Sequence, residues 1–116
     1  MTAEAQAIAQ VLLDHHRSLG DPPPNRPDNL NPFTIRYGIL CERAGVPWLT
    51  RSVGRPLQEI AEWCVDSGWP PINSLAVNDT GMPGGGYDGA PECDLLHWPD
   101  QAWDCIVFED YPTTVS

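Results

Sequence analysis

Residues 37–57 read Y-G-I-L-C-E-R-A-G-V-P-W-L-T-R-S-V-G-R-P-L, and residues 69–87 read W-P-P-I-N-S-L-A-V-N-D-T-G-M-P-G-G-G-Y. The first run holds two apolar helical patterns separated by a turn at Gly45 and Pro47, and a third helical pattern begins at its end. The second run holds a short apolar segment that is closed by a glycine-rich loop. Two helices, a turn and a following strand predict a winged helix-turn-helix core, an arrangement typical of binding modules.

The chain of 116 residues is predicted to be a single α+β domain that is mostly helical. An added N-terminal helix occupies residues 1–20. Four prolines in residues 21–31 exclude a helix or a central strand, so this segment is predicted to be an extended connection. The winged-helix-like core, with a short strand or hairpin as its wing, spans residues 32–90, and an acidic segment follows over residues 91–116.

The N-terminal helix has one apolar stripe. Thr2 is its expected cap and Gly20 its expected end. The stripe consists of residues three or four apart, namely Ile8, Leu12, His15 and Leu19. Because adjacent helical residues point to different faces, His15 and His16 are interpreted as packing residues and not as a metal or catalytic pair.

Three further helical segments are predicted in the core. Residues 32–44 form one helix, and residues 48–55 are the expected recognition helix. That short helix would place Arg51 and Arg55 on one face, since they are four residues apart. Pro56 ends it and begins a further helix.

The second half of the chain gives weaker signals for secondary structure. Residues 72–77 alternate in polarity as a short strand does, and the glycines of residues 83–86 follow as the wing. Residues 99–109 favour a helix, although the apolar run at residues 105–108 leaves a strand open. The tail after Tyr111 is expected to be loose.

Charge is the most unusual feature of the composition. The chain has 16 acidic residues and 6 basic ones, for a net charge of −10. All six bases are arginines within residues 1–55, whereas residues 56–116 hold eleven acids and no base. The electrostatic field of this negative charge repels nucleic acid at long range and attracts basic surfaces.

The cysteine spacing and the hydropathy of the chain indicate which classes of protein are not expected. The four cysteines form no C-x-x-C pair, and Cys93, His97 and Cys105 match none of the common zinc spacings, so no metal and no cofactor are predicted. No apolar run approaches the ~20 residues of a membrane span, and no signal peptide is evident. The expected location is cytoplasmic, without membrane association.

Four short motifs recur together in one known family. They are Tyr37-Gly38, Ala44-Gly45, Arg51-x-Val53-Gly54, and Gly85-Gly86-Tyr87 followed by Gly89. With them the segment resembles the C-terminal domain of alkylguanine-DNA alkyltransferases and the alkyltransferase-like proteins. The resemblance implies that Tyr37 meets the DNA backbone beside a flipped nucleotide and that Arg51 takes the place of the flipped base.

The chain departs from that family at its reactive centre. The family carries a Pro-Cys-His-Arg run, in which the cysteine takes the alkyl group, but residues 73–76 here are Asn-Ser-Leu-Ala. A serine hydroxyl without a neighbouring base is a poor nucleophile at neutral pH. Alkyl transfer is therefore not expected, and no catalytic residue is predicted.

Two functions are weighed, with an enzyme centred on Ser74 as a third and weaker alternative. The first is a non-enzymatic module that docks on a basic, nucleic-acid-binding surface of a host protein. Small acidic inhibitors encoded by phages and mobile elements, anti-CRISPR proteins included, have this character. The partner-binding residues would be the acids of the second half: Glu59, Glu62, Asp66, Asp88, Glu92, Asp94, Asp100 and Asp104. The alternative is an alkyltransferase-like DNA-binding protein that uses Tyr37, Arg51 and Arg55.

Overall fold

The first helix forms where its stripe predicts. The computed structural model describes residues 1–115, and helix α1 spans Ala3–Ser18 within it. The Thr2 side chain accepts a hydrogen bond from the amide of Ala5, and Gly20 adopts a φ of +68° just beyond the helix. Both end signals are therefore confirmed, since a capping hydroxyl and a left-handed glycine are the usual helix terminators.

The core is built from the apolar faces of the helices. Helix α2 spans Tyr37–Arg43, α3 spans Gly54–Asp66 and α4 spans Trp98–Val107. Their largest buried side chains pack with those of α1 in one cluster, which includes Ile8, Leu12, Leu40, Ile60, Cys64, Cys105 and Ile106. Helix was therefore the right choice for the segment near residue 100. No helix in residues 1–115 is long and apolar enough to cross a membrane.

Two segments that lie far apart in sequence form the small sheet. Strand β1 is Ile35–Arg36 and strand β2 is Ala76–Val77, and they pair in parallel with Ile35 opposite Ala76. A hairpin wing needs antiparallel strands, so the wing predicted for this core is not formed by the described residues. The mostly helical α+β class is confirmed, whereas the winged helix is not.

Three predicted element boundaries are wrong. Residues 48–55 do not form a separate helix, because a short 3₁₀ turn at Pro47–Leu49 is followed by the turn of residues 50–53, and α3 begins only at Gly54. The strand predicted over residues 72–77 is a 3₁₀ turn at Ile72–Leu75, and only its last two residues pair. This segment is buried on all sides, so its alternation did not mark one exposed face. Helix α2 begins at Tyr37, because residues 35–36 before it are extended in β1.

The C-terminal tail packs against the helical body, contrary to the prediction that it is loose. The Tyr111 hydroxyl donates a hydrogen bond to the carbonyl of Pro70 at 2.5 Å. The Val115 amide donates to the side-chain oxygen of Gln10 on α1 at 3.0 Å. These contacts connect the chain end to α1 and to the segment that follows α3.

Both histidines of α1 donate to backbone carbonyls, as packing residues do. The His15 Nε2 lies 2.9 Å from the carbonyl of Phe33, and the His16 Nε2 lies 2.8 Å from that of Cys105. The His16 ring also meets the Tyr111 ring edge to face, with centroids 4.9 Å apart. Burial lowers the pKa of His16 below its ordinary value of 6.5.

Stability should therefore fall in mild acid. The unfolded chain protonates His16 at a higher pH than the folded protein does. The contribution of neutral His16 to the free energy of unfolding is therefore complete above about pH 6.5, and it is lost as the pH falls through the lowered folded pKa. Urea unfolding of wild type and His16→Gln at about pH 7.5 and about pH 5.5 measures this loss. We expect a smaller loss in His16→Gln than in wild type. Equal losses in the two proteins would contradict the assignment.

Candidate functional site

A concave pocket of about 230 Å³ lies between the start of α3 and the glycine-rich segment after β2. We call it the glycine-loop pocket. Its wall includes Tyr37 from α2, Arg51 from the turn before α3, and the glycines of residues 84–86. Asn73 and Tyr87 also line it. The fold thus brings together residues that were predicted separately from the sequence motifs.

Tyr37 holds the glycine loop in place. Its hydroxyl accepts a hydrogen bond from the amide of Gly84 at 2.7 Å. The side chain is half-buried, and burial raises its phenol pKa above the ordinary value. Since the hydroxyl stays protonated at neutral pH, it retains a proton that can be donated to a second group.

The glycine loop approaches the start of α3 closely. A Cβ built on Gly86 would lie 3.7 Å from the Cα of Gly54, which is backbone of α3. A Cβ on Gly89 would lie only 2.8 Å from the Gln58 side-chain nitrogen. That nitrogen instead donates to the Gly86 carbonyl at 3.4 Å. The loop and the start of α3 therefore meet at ordinary van der Waals distance, and the Gln58 side chain bridges them on this side of the pocket.

Asn73 lies beneath the pocket and was not among the predicted site residues. It is 2 % exposed, and its Nδ2 donates weakly to the Cys93 sulfur at 3.6 Å. Its Oδ1 has no hydrogen-bond partner among residues 1–115. The sequence signal that would have found it is a polar amide inside the apolar run between Ile72 and Leu75, where a packed core leaves few partners.

Ser74, which the resemblance would align with the reactive cysteine, belongs to a buried hydrogen-bond network. Its hydroxyl lies 2.7 Å from that of Tyr87, which donates onward to the Gln101 side-chain oxygen at 2.6 Å. Ser74 therefore donates its own proton to Tyr87. The Trp98 indole donates to the Ser74 carbonyl at 2.8 Å. This network fixes the protein wall below the pocket.

Arg51 and Arg55 do not share a helical face as predicted. Arg51 lies in the turn before α3 and Arg55 is the second residue of that helix, and both are exposed. Arg51 lines the glycine-loop pocket, whereas Arg55 borders a neighbouring depression with Glu59 and Glu62. Within the described chain neither guanidinium has a carboxylate within 4.0 Å.

Half of the predicted acidic set makes intramolecular contacts. Glu59 on α3 accepts hydrogen bonds from the amide and the hydroxyl of Thr2, both at 3.0 Å, and so holds the start of α1. Asp100 forms an ion pair with Arg26. Both contacts connect distant parts of the chain, which gives these two carboxylates a structural role.

Two more of these acids stabilise the loop before α4. Asp88 accepts from the amide of Leu95 at 2.5 Å. Asp94 accepts from the amide of Leu96 at 2.9 Å and pairs with the His97 ring at 2.9 Å. The hydrogen bond from His97 is the main reason that the pKa of Asp94 lies below its ordinary value.

The other four predicted acids are exposed and form no ion pair within residues 1–115: Glu62, Asp66, Glu92 and Asp104. Glu92 and Asp104 border a wider groove that Glu109 and Asp110 also line. We call it the acidic groove, and its apolar surface comes from Val65, Trp69, Pro70, Pro71, Val107 and Phe108. Glu109 and Asp110 were not among the predicted partner-binding residues.

The cysteines are buried and reduced. Burial raises the thiol pKa of Cys64 to about 11 and that of Cys105 to about 12, and the Cys105 thiol donates to the Pro71 carbonyl at 3.1 Å. Metal binding and nucleophilic attack need the thiolate, so these raised pKa values oppose both. Across residues 1–115 no three His, Cys, Asp or Glu side chains are grouped as metal ligands would be.

Comparison with known proteins finds no match to a family model, to a curated protein or to a solved structure. The resemblance to the alkyltransferase domain therefore rests only on the short motifs of the sequence and stays a prediction. The structure adds that residues from three of the four motifs, Tyr37, Arg51-x-Val53-Gly54 and Gly85-Gly86-Tyr87, line one pocket, whereas Ala44-Gly45 does not.

The turn between β2 and the glycine loop provides a test of how this site is positioned. Gly81 has a φ of +83°, and a Cβ there would lie 2.7 Å from the Asn31 side-chain oxygen. We expect Gly81→Ala to lower the free energy of unfolding by about 1–2 kcal/mol, measured by urea unfolding. The control Gly38→Ala, at an exposed position of α2 with open space around it, should have a neutral or stabilising effect. Equal losses for both variants would show that the turn geometry is not the cause.

Proposed function

We propose that this protein is a non-enzymatic binding module and that the glycine-loop pocket takes an unpaired base of a nucleic acid. The observation that carries the proposal is the meeting of Tyr37, Arg51 and the glycines of residues 84–86 around one cavity. At about 230 Å³ the cavity is smaller than the ~300 Å³ of the smallest typical drug-sized pockets, which suits a single ring system.

Groups at the mouth of the pocket suit the phosphates on either side of such a base. Arg51 and Arg55 are exposed and have no carboxylate partner within the described residues. Helix α3 begins at Gly54 in the pocket wall without a side-chain cap, and since Pro56 has no N–H, the amides of Gly54 and Arg55 are the ones available there to an approaching anion. Trp48, 71 % exposed and two residues before the pocket residue Thr50, offers a ring on which a neighbouring base can stack.

The net charge of −10 limits how much nucleic acid this surface can hold. A long duplex would bring many phosphates near the eleven acids of residues 56–116, whereas a short unpaired stretch meets the two arginines first. Neutralising two phosphates of a single strand predicts a salt slope of about −1.4 in log affinity against log salt concentration. We therefore propose weak binding to unpaired nucleotides and not to a continuous duplex.

Fluorescence anisotropy at low salt tests this function with a short single strand, a matched duplex and a duplex that contains one mismatch. We expect the single strand and the mismatched duplex to bind more tightly than the matched duplex. Arg51→Ala/Arg55→Ala should weaken binding at least about tenfold, because both phosphate contacts are lost.

The matched control is Arg17→Ala/Arg43→Ala, which removes the same charge from exposed positions on α1 and α2. It should stay close to wild type. An equal loss in the control would mean that net charge alone governs binding. Absence of binding by the wild type at low salt would reject the function.

A second candidate function is favoured by the acidic groove. Four carboxylates, those of Glu92, Asp104, Glu109 and Asp110, border a surface of aromatic and aliphatic side chains. None of the four forms an ion pair within residues 1–115. An apolar surface with an acidic rim suits a basic segment of a protein partner that also carries apolar anchors. This is the protein-binding hypothesis, in which the chain blocks a basic, nucleic-acid-binding surface of a host protein.

A synthetic peptide that alternates arginine with leucine and tryptophan tests the second candidate. Asp104→Asn/Glu109→Gln should weaken its binding about tenfold, since two charges of the rim are neutralised without a change of shape. The control Asp28→Asn/Glu42→Gln neutralises two exposed acids outside the groove and should have little effect. Isothermal titration calorimetry at two salt concentrations measures both variants. Equal weakening by the two double variants would show nonspecific attraction and would exclude the groove as a site.

A further inference from the structure

The acidic groove suits a basic surface that carries an apolar anchor, and the protein itself has such a surface. Among its six arginines, ion pairs within the molecule are formed by Arg17, Arg26 and Arg36. Arg51 and Arg55 form none within residues 1–115, and both are exposed. Trp48 precedes Arg51 by three residues and is 71 % exposed. We call the surroundings of Trp48, Arg51 and Arg55 the arginine end of the molecule.

The arginine end and the acidic groove lie at opposite ends of helix α3. Arg51 and Arg55 lie on either side of Gly54, the first residue of the helix. Val65 and Trp69, which line the groove, lie in its last turn and just beyond it. A helix of 13 residues is about 20 Å long. The two surfaces therefore do not meet within one molecule, and only a second copy can bring an arginine end to an acidic groove.

Charge complementarity favours this contact, although each copy carries a net charge of −10. At ~0.15 M salt the Debye length is about 8 Å, so the repulsion between distant charges of two copies is largely screened. Ion pairs in direct contact are screened much less. The two guanidinium groups would meet four carboxylates that have no ion pair within residues 1–115: those of Glu92, Asp104, Glu109 and Asp110.

Trp48 supplies the apolar part of the contact. Exposed tryptophans are unusual on a free surface and are enriched among the residues that dominate the affinity of protein interfaces. The groove offers the indole a surface of aromatic and aliphatic side chains, Trp69 and Phe108 among them. Moving the indole from water into that surface is favourable, because apolar area is removed from water on both copies.

We infer that this protein associates head to tail with itself: the arginine end of one copy docks in the acidic groove of the next, with Trp48 as the anchor. The inference rests on the second candidate function for the use of the groove, and it identifies a second copy of the chain as the occupant. Because two different surfaces meet, the contact is heterologous, and every bound copy leaves a free arginine end or a free groove. Association therefore continues beyond a dimer.

Sedimentation velocity at ~0.15 M salt tests the inference, with the wild type at concentrations from about 10 μM to about 1 mM. We expect the average mass to rise with concentration past that of a dimer. Trp48→Ala, Arg51→Ala/Arg55→Ala and Asp104→Asn/Glu109→Gln should each weaken association at least about tenfold. All five side chains are exposed, so the variants should fold as the wild type does, and far-UV circular dichroism checks this.

An equimolar mixture of the two double variants tests the head-to-tail arrangement. Arg51→Ala/Arg55→Ala keeps an intact groove, and Asp104→Asn/Glu109→Gln keeps an intact arginine end. We expect the mixture to form a dimer of one copy of each, without further growth, at a concentration at which either variant alone is monomeric. A mixture that stays monomeric would overturn the inference. Association of one double variant alone, as tight as that of the wild type, would overturn it as well, since a contact between identical surfaces needs only one of the two.

Matched controls separate these surfaces from net charge. Arg17→Ala/Arg43→Ala and Asp28→Asn/Glu42→Gln make the same charge changes elsewhere and should associate as the wild type does. Equal weakening by the controls overturns the inference, and so does a wild type that stays monomeric at every concentration. The synthetic peptide then decides the second candidate function separately. Peptide binding without self-association means that a different protein fills the groove, whereas failure of both means that the groove is not a binding site.

Discussion

The parallel pairing of β1 with β2 is the contact on which the candidate site depends. It joins residues 35–36 to residues 76–77 across the 39 residues between them, with only two residues from each strand. Because α2 begins directly after β1, Tyr37 is brought to the side of the molecule where the glycine loop follows β2. The bond from the Gly84 amide to the Tyr37 hydroxyl then fixes the loop against this anchor. Without the pairing, the pocket would have no wall opposite α3.

The protein wall under the pocket combines a satisfied network with one unsatisfied atom. Ser74, Tyr87 and Gln101 pair with one another, so their polar groups stabilise the wall. Asn73, next to Ser74, leaves its oxygen without a partner in residues 1–115. That oxygen is enclosed by the protein, so a molecule in the pocket does not reach it, and leaving it unpaired costs stability.

Composition describes the charge of this protein but not its use. The eight acids predicted to bind a partner divide into two groups: half make contacts inside the molecule, as Glu59 does with Thr2, and half form no ion pair within residues 1–115. The groove that gathers free carboxylates includes Glu109 and Asp110, which become part of a surface because the tail beyond them packs at Tyr111. A count of charges cannot reveal this, since charge complementarity depends on which carboxylates remain unpaired and share one surface.

The sequence by itself determined the local elements: the start and end of α1 at Thr2 and Gly20, the apolar faces of the long helices and the helical state of α4. These follow from interactions within a few residues, which periodicity and capping residues report directly. Only the tertiary structure decided the two-residue parallel sheet, the burial of Asn73, and the meeting of Tyr37 with Arg51 and the glycine loop. Those features arise from contacts between segments that are distant along the chain. No local pattern encodes them, because their free energy comes from packing and hydrogen bonds that exist only after the helices have assembled.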